Sequence, residues 1–414
     1  MATNAVISSS RDQATTVLAS GSKRRYPYLD NLRMALITAV VVGHISVTYG
    51  VAASWYYYEE GEISPLPYSF IMLAAAVGIG SFLGLFFLIA GYFTPGAYDR
   101  KGAARFLADR LRRLGIPLLI YEIVVNPLVH YVVDIHGGRC KGSFYDCQFQ
   151  GTFLEYLRAY PGNIGSLADG PVWFLAALLL FCILYTLVRL AWSALVKPAA
   201  SVDHAPPRVP SNWAIALFAL AIGLATFIVR FWAEAFYYYE PLHLELGRTP
   251  QYFSLFAAGC LAYRGNWLEA FPDRQASPWK WIAGLCIVSL PFLMVPYGAL
   301  EGTMDERVVG GVNLLSLSYS VWEGFLAVSM SIAVLAWFRR RFARQGRLAK
   351  AMSDSAFGVY VLHPAIIVPL ALALSGLEMN LTLKFALVAP LAVALSYLIV
   401  YALRKVPGVR WAFG

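Results

Sequence analysis

Charged residues are scarce in this sequence. Only 14% of its 414 residues are Asp, Glu, Lys or Arg, and 59% are hydrophobic. A soluble globular protein has about 25% charged and about 45–50% apolar residues. The shortage of charge therefore excludes an ordinary soluble protein. Long apolar runs stand where the charges are missing, so the sequence predicts an all-α, polytopic membrane protein.

Cysteine is also rare, and its spacing fits no metal site. Cys182, Cys260 and Cys286 lie in apolar runs, where a thiol packs as a small hydrophobic group. Cys140 and Cys147 share a polar loop without CxxC spacing, and they can form a disulfide only in an oxidising compartment. The motifs HExxH and GxSxG and the P-loop are missing too, so no metal or standard hydrolytic centre is predicted.

Ten apolar segments follow one another along the chain, most of them near the ~20 residues that cross a bilayer. They span about 28–52, 68–93, 114–133, 171–196, 212–232, 249–264, 279–299, 312–338, 353–374 and 382–403. The acidic loops 53–67, 233–248 and 300–311 alternate with the basic stretches 100–113 and 339–350. Because cytoplasmic loops carry an excess of Lys and Arg, this alternation predicts about ten spans with both termini in the cytoplasm.

The same pattern gives a simple domain organisation. We expect a disordered cytoplasmic tail over 1–27, a transmembrane domain over 28–405 and a short cytoplasmic tail over 406–414. The basic loops account for the net charge of +9 through membrane topology, so no nucleic-acid partner is predicted.

The first apolar segment contains ionisable side chains. Arg33 and His44 are eleven residues apart, which is about 20° past three helical turns, so they share one helix face with a rise of about 16 Å. Asp30 lies at i, i+3 from Arg33 and can pair with it. Ionisable groups inside membranes mark functional sites. His44 is therefore a candidate general base, the alternative being a hydrogen bond between helices.

Two further polar residues lie in later apolar segments. His363 precedes Pro364, so it is either a second proton carrier or a partner for backbone carbonyls that the proline frees. Glu323 is a buried carboxylate that needs a partner, and we include it as a candidate catalytic residue.

Two clusters near the membrane surfaces have two interpretations each. Three arginines precede the third apolar segment: Arg110, Arg112 and Arg113. They either bind the phosphates of a cytoplasmic donor or set the membrane topology and contact anionic lipids. The outer aromatics either bind a substrate or form an interfacial belt; the candidates are Trp55, Tyr58 and Tyr238.

Taken in order, these motifs resemble the acyltransferase-3 family of integral-membrane O-acyltransferases. The signature is Leu29-Asp30-x-Leu32-Arg33 with ten residues between Arg33 and His44. The remaining anchors are Phe86–Tyr92, Arg110–Pro117, Pro171–Leu175 and Phe357–Pro364. One departure is Ala90, where the family often has Ser.

The resemblance implies a reaction and its partners. An acetyl or succinyl group would pass from cytoplasmic acyl-CoA, the co-substrate, to a hydroxyl of an extracytoplasmic carbohydrate such as a glucan. The enzyme would be a multi-pass protein of the inner (plasma) membrane without a tightly bound cofactor. His44 would be the base or a transient acyl acceptor, Arg33 would orient the donor or stabilise charge on the thioester oxygen, and the three arginines would hold phosphates.

Two rival hypotheses come from other classes. A secondary transporter would use Arg33, His44, Glu323 and His363 as a proton or substrate path, but the inverted repeats of such proteins are not evident. A dimeric scaffold or sensor is the third hypothesis.

Overall fold

The computed structural model describes residues 25–51, 55–136, 149–160, 170–195, 209–240, 242–297 and 305–408. Helices dominate this part of the chain, and its only β-pairing is one bridge between Tyr239 and Leu244. The all-α prediction is confirmed. Cys140, Cys147 and most of both predicted tails lie outside the described residues, so the expected tails and the disulfide stay predictions.

The α-helices are numbered in chain order. They are α1 Pro27–Thr48, α2 Pro65–Arg110, α3 Ile116–Ile120, α4 Asn126–His136, α5 Phe153–Ala159, α6 Trp173–Leu195, α7 Asn212–Val229, α8 Thr249–Arg264, α9 Trp267–Ala270, α10 Asp273–Met294, α11 Glu306–Val309, α12 Leu314–Arg341, α13 Arg347–Leu362, α14 Pro364–Ala373 and α15 Leu381–Leu403. The π-helical turns Leu111–Gly115 and Tyr121–Val125 join α2, α3 and α4 into one run. This run kinks at Gly102, whose φ of 71° favours glycine.

All ten predicted segments fall on helices, but the helices divide differently. Seven helical stretches in the described part are long and apolar enough to cross a membrane, or eight with α13 and α14 counted as one span bent by 70°. The second and third predicted segments merge into one run of 72 residues. The sixth, α8, has only 16 residues. The count of about ten and the orientation of the termini stay predictions.

Helices α2 and α8 pack with their backbones in contact. A Cβ built on Gly91 would lie 2.1 Å from the carbonyl oxygen of Phe256, and one on Gly259 would lie 2.1 Å from that of Leu88. Only glycine allows so close an approach inside a membrane bundle. The pair therefore fixes the distance between the two helices.

We expect Gly259→Ala to lower the midpoint of thermal unfolding in detergent by about 1–4 °C. Overpacking costs about 1–3 kcal/mol, and in a chain of this length a loss of that size shifts the midpoint by only a few degrees. Gly284→Ala in α10 is the matched control, since a Cβ there meets nothing within 4 Å. The measurement is tryptophan fluorescence during heating. Equal midpoints for the two variants would contradict the proposed contact.

Candidate active site

A cavity of about 1340 Å³ extends between α1, α2, α6 and the loop before α8. It brings together most of the residues that the sequence singled out. Those lining it are Asp30, Arg33, His44, Trp55, Arg110, Arg112, Arg113 and Tyr238. The lining does not include His363, Glu323 or Tyr58. Pockets for one small molecule are about 300–1,000 Å³, so this cavity has room for two substrates at once.

His44 and His363 form a hydrogen-bonded pair, although they are 319 residues apart in the sequence. The ring atoms His44 Nδ1 and His363 Nε2 are 3.0 Å apart, and His363 is fully buried. His363 lies at the bend between α13 and α14, where it follows one helix and precedes the other. The chain thus places it directly behind His44.

A backbone carbonyl determines the protonation of the pair. His363 Nδ1 lies 2.8 Å from the carbonyl oxygen of Tyr360. A carbonyl only accepts, so Nδ1 carries the hydrogen and Nε2 of the neutral ring is an acceptor. His44 Nδ1–H then donates to that acceptor. In this tautomer His44 Nε2 carries the lone pair, and the His44 ring also bonds to the backbone carbonyl of Val40.

Pro364 explains why His363 makes this contact. In an α-helix the N–H of residue 364 would bond to the carbonyl of Tyr360, but proline has no N–H. The side chain of His363 replaces that donor. The contact matches the structural alternative for His363, and the same side chain also orients His44.

Trp55 packs against the imidazole ring of His44. Its ring stacks on the imidazole with centroids 4.2 Å apart and planes at 17°. The backbone N–H of Trp55 donates to the Tyr58 hydroxyl at 2.5 Å. Tyr56, between them, bonds to Asn126 Oδ1 at 2.7 Å. Tyr58 therefore supports the turn that carries Trp55 instead of facing the cavity.

Arg33 faces the cavity with an accessible guanidinium. The expected pair between Asp30 and Arg33 is wrong: the Asp30 carboxylate instead accepts from Arg25 Nε at 2.8 Å. In the described part of the chain no carboxylate lies within 4 Å of Arg33. Arg33 and Asp30 both line the cavity, and without a direct ion pair the guanidinium of Arg33 can bind a ligand there.

The three arginines predicted to bind phosphate reach the same cavity. They stand where α2 passes into the first π-helical turn. Arg110 packs over the ring of Phe106 at 5.0 Å, and Arg113 Nε bonds to Asp109 at 3.1 Å. Arg112 and Arg113 are exposed. With Arg33, they make this end of the cavity strongly cationic.

Glu323 lies in a buried ion-pair cluster that we call the four-residue lock: Arg230, Glu245, Arg248 and Glu323. Each residue is at most 2% exposed. Glu323 accepts from Arg230 at 2.5 Å and from Arg248 at 2.6 Å, and Arg248 also pairs with Glu245 at 2.9 Å. The predicted need of Glu323 for a partner is met. The other three residues of the lock were not predicted from the sequence. The charge of Arg230 at the end of an apolar run could have indicated a buried ion pair.

Tyr238 and His243 line the end of the cavity opposite to the arginines. His243 was not predicted as a site residue from the sequence. Their rings stack 4.4 Å apart at 11°, and His243 Nδ1 lies 2.8 Å from Glu240. Burial, and then the carboxylate of Glu245, raises the pKa of Tyr238. Its hydroxyl therefore stays neutral and can donate a hydrogen bond.

Comparison with known families matches residues 26–402, nearly the whole chain, to the sequence model Acyl_transf_3, described as an acyltransferase domain. Searches of curated proteins and of solved structures find no match.

Proposed function

The chain belongs to the acyltransferase-3 family and is a membrane acyltransferase, and we propose that it transfers an acyl group from cytoplasmic acyl-CoA to a carbohydrate hydroxyl beyond the membrane. The supporting observation is that one cavity is lined by both Arg33, at its cationic end, and His44. The resemblance suggests acetyl or succinyl as the group. A narrower likeness to glucan-biosynthesis protein C, a succinyltransferase of periplasmic glucans, suggests a glucan acceptor and the inner membrane.

The cationic end of the cavity suits the phosphate groups of the acyl-CoA donor. Guanidinium forks match phosphate oxygens in charge and geometry, and among the described residues no carboxylate lies within 4 Å of Arg33. Arg33 and His44 are about 16 Å apart along α1, a separation that the extended pantetheine arm of CoA spans. At that distance Arg33 orients the donor and does not reach the thioester oxygen.

His44 suits the chemistry. The acceptor hydroxyl gives its proton to His44 Nε2 while its oxygen attacks the thioester carbonyl carbon. The new C–O bond forms, the C–S bond breaks, and the proton passes from His44 to the departing thiolate. His44 as a transient acyl acceptor is the second route that the same lone pair permits.

The aromatic end suits the acceptor. Trp55, Tyr238 and His243 present flat rings to the cavity, and such faces pack on the apolar faces of sugar rings. The neutral Tyr238 hydroxyl supplies a hydrogen-bond donor. In this arrangement the carbohydrate meets the acyl group at His44.

Inverted membrane vesicles test the proposal, since their outer surface is the cytoplasmic face. Acyl-CoA labelled in the acyl group is added outside, and a glucan is enclosed within. We expect the label on the glucan, with the mass increase of one acyl group per modified hydroxyl. Uptake of a solute without modified glucan would favour the transporter hypothesis instead.

We expect His363→Leu to lower kcat about 5- to 160-fold with little change in KM for the donor. The substitution removes the His363 acceptor of the His44 Nδ1–H, which costs about 1–3 kcal/mol. His363→Gln, whose amide oxygen accepts a hydrogen bond, should recover part of the rate. Equal rates for the Leu and Gln variants would contradict this positioning role.

A further inference from the structure

An apolar slot opens between α1 and α2 beside His44. The two helices pack together near their cytoplasmic ends, where Leu36 and Ile89 belong to one buried cluster. Near their outer ends the hydroxyl of Tyr68 bonds to the carbonyl of Gly50 at 3.1 Å. Between these contacts both helices line the cavity. The slot therefore lies between two contacts of α1 with α2, and His44 is among the residues that line it.

Two glycines make the slot wide. A Cβ built on Gly43 meets nothing within 4 Å, and one on Gly78 meets only Phe82 of its own helix, at 3.5 Å. Both positions line the cavity from opposite walls. These helical glycines therefore leave room for a ligand.

The walls at this level are hydrocarbon. Val40 and Val47, one turn on either side of His44, line the slot, and Ala75 faces it from α2. The hydroxyl of Ser46 is occupied by the Gly43 carbonyl, 2.6 Å away. A carboxylate placed here would lose its hydration, whereas methylene groups gain by burial.

We propose that the slot holds the hydrocarbon chain of the transferred acyl group and that Gly43 sets the length it accepts. The slot proposal rests on the proposed acyl transfer and adds which donors the enzyme prefers. A short aliphatic group such as butyryl fits the slot, whereas succinyl, which carries a second carboxylate, does not. The carbonyl carbon lies at His44 Nε2 and its chain points past Gly43. Gly43 is a specificity-determining residue and takes no part in proton transfer.

The test compares donors with wild-type and variant enzymes in the vesicle assay. Butyryl- and succinyl-CoA have acyl chains of equal carbon number that differ in charge, and acetyl-CoA is the short reference. Each buried methylene gives about a fourfold gain in kcat/KM. We expect wild type to use butyryl-CoA at least tenfold better than succinyl-CoA.

Gly43→Leu fills the slot. We expect it to keep acetyl transfer within about threefold of wild type and to lose at least tenfold with butyryl-CoA. Gly78→Leu should act the same way from the opposite wall. Gly284→Leu is the matched control, because Gly284 is also a helical glycine with nothing within 4 Å of its Cβ and lies away from the cavity.

The outcomes separate the two proposals. No transfer by wild type from any of the three donors overturns the proposed reaction, transfer from acyl-CoA to a glucan. Transfer by wild type with succinyl preferred over butyryl overturns the slot alone. An equal loss of acetyl and butyryl transfer in Gly43→Leu also overturns the slot, since a length filter must spare the shortest donor.

Discussion

His44→Ala is expected to lower kcat/KM for acyl transfer about 10²–10⁴-fold, the usual contribution of a general base. The variant loses the imidazole that lines the cavity and that the bond to His363 holds in one tautomer. The vesicle assay measures the effect directly. His136→Ala is the control, because His136 is an exposed histidine that does not line the cavity.

The variant also separates the mechanism from the fold. His44→Ala keeps the His363 contact with Tyr360 but leaves the buried Nε2 of His363 without a donor, so we expect a folded protein whose unfolding midpoint is lowered by no more than that of His363→Leu. A folded His44→Ala enzyme with unchanged transfer would remove His44 from the mechanism. A donor whose binding is lost together with turnover would point instead to a binding role.

Glu323→Gln is expected to destabilise the protein by about 3–5 kcal/mol, because it leaves buried arginine charge without compensation. In the four-residue lock two guanidiniums face two carboxylates, and the substitution leaves Glu245 alone against both. Low yield of folded protein and a lowered unfolding midpoint in detergent are the readouts. Glu306→Gln, at an exposed carboxylate, is the control.

The same variant decides the role that the sequence suggested for Glu323. If Glu323→Gln folds and unfolds like wild type but transfers no acyl group, Glu323 acts in the chemistry. If the folded fraction retains the wild-type rate per molecule, Glu323 is purely structural. The geometry favours the second outcome, because both carboxylate oxygens already accept from arginines.

The sequence located α1 and its polar face because those depend on local spacing. Arg33 and His44 share a face for the same reason that any residues eleven apart do. The expected pair between Asp30 and Arg33 did not form, because the Asp30 carboxylate has a second local partner, Arg25, five residues earlier in the chain. The sequence could not place His363 behind His44. It also could not reveal the four-residue lock, whose members come from the end of α7, the segment before α8 and helix α12.

The span count shows a second limit. Hydropathy detects apolar length, and every apolar segment did become helix. Hydropathy does not reveal that one helical run continues through π-helical turns. It also does not reveal that the sixth segment forms a helix of only 16 residues among longer ones. Gly43 was overlooked because an empty space beside a glycine is a property of its surroundings.

The bend at Pro364 has a chemical consequence beyond its shape. An ordinary residue at this position would return an N–H to the carbonyl of Tyr360 and compete with His363 for it. The imidazole of His363 could then rotate or exchange tautomers, and His44 would no longer have one defined basic nitrogen. The missing backbone N–H of Pro364 in one helix thus selects which nitrogen of His44, in another helix, is the basic one that we propose as the proton acceptor.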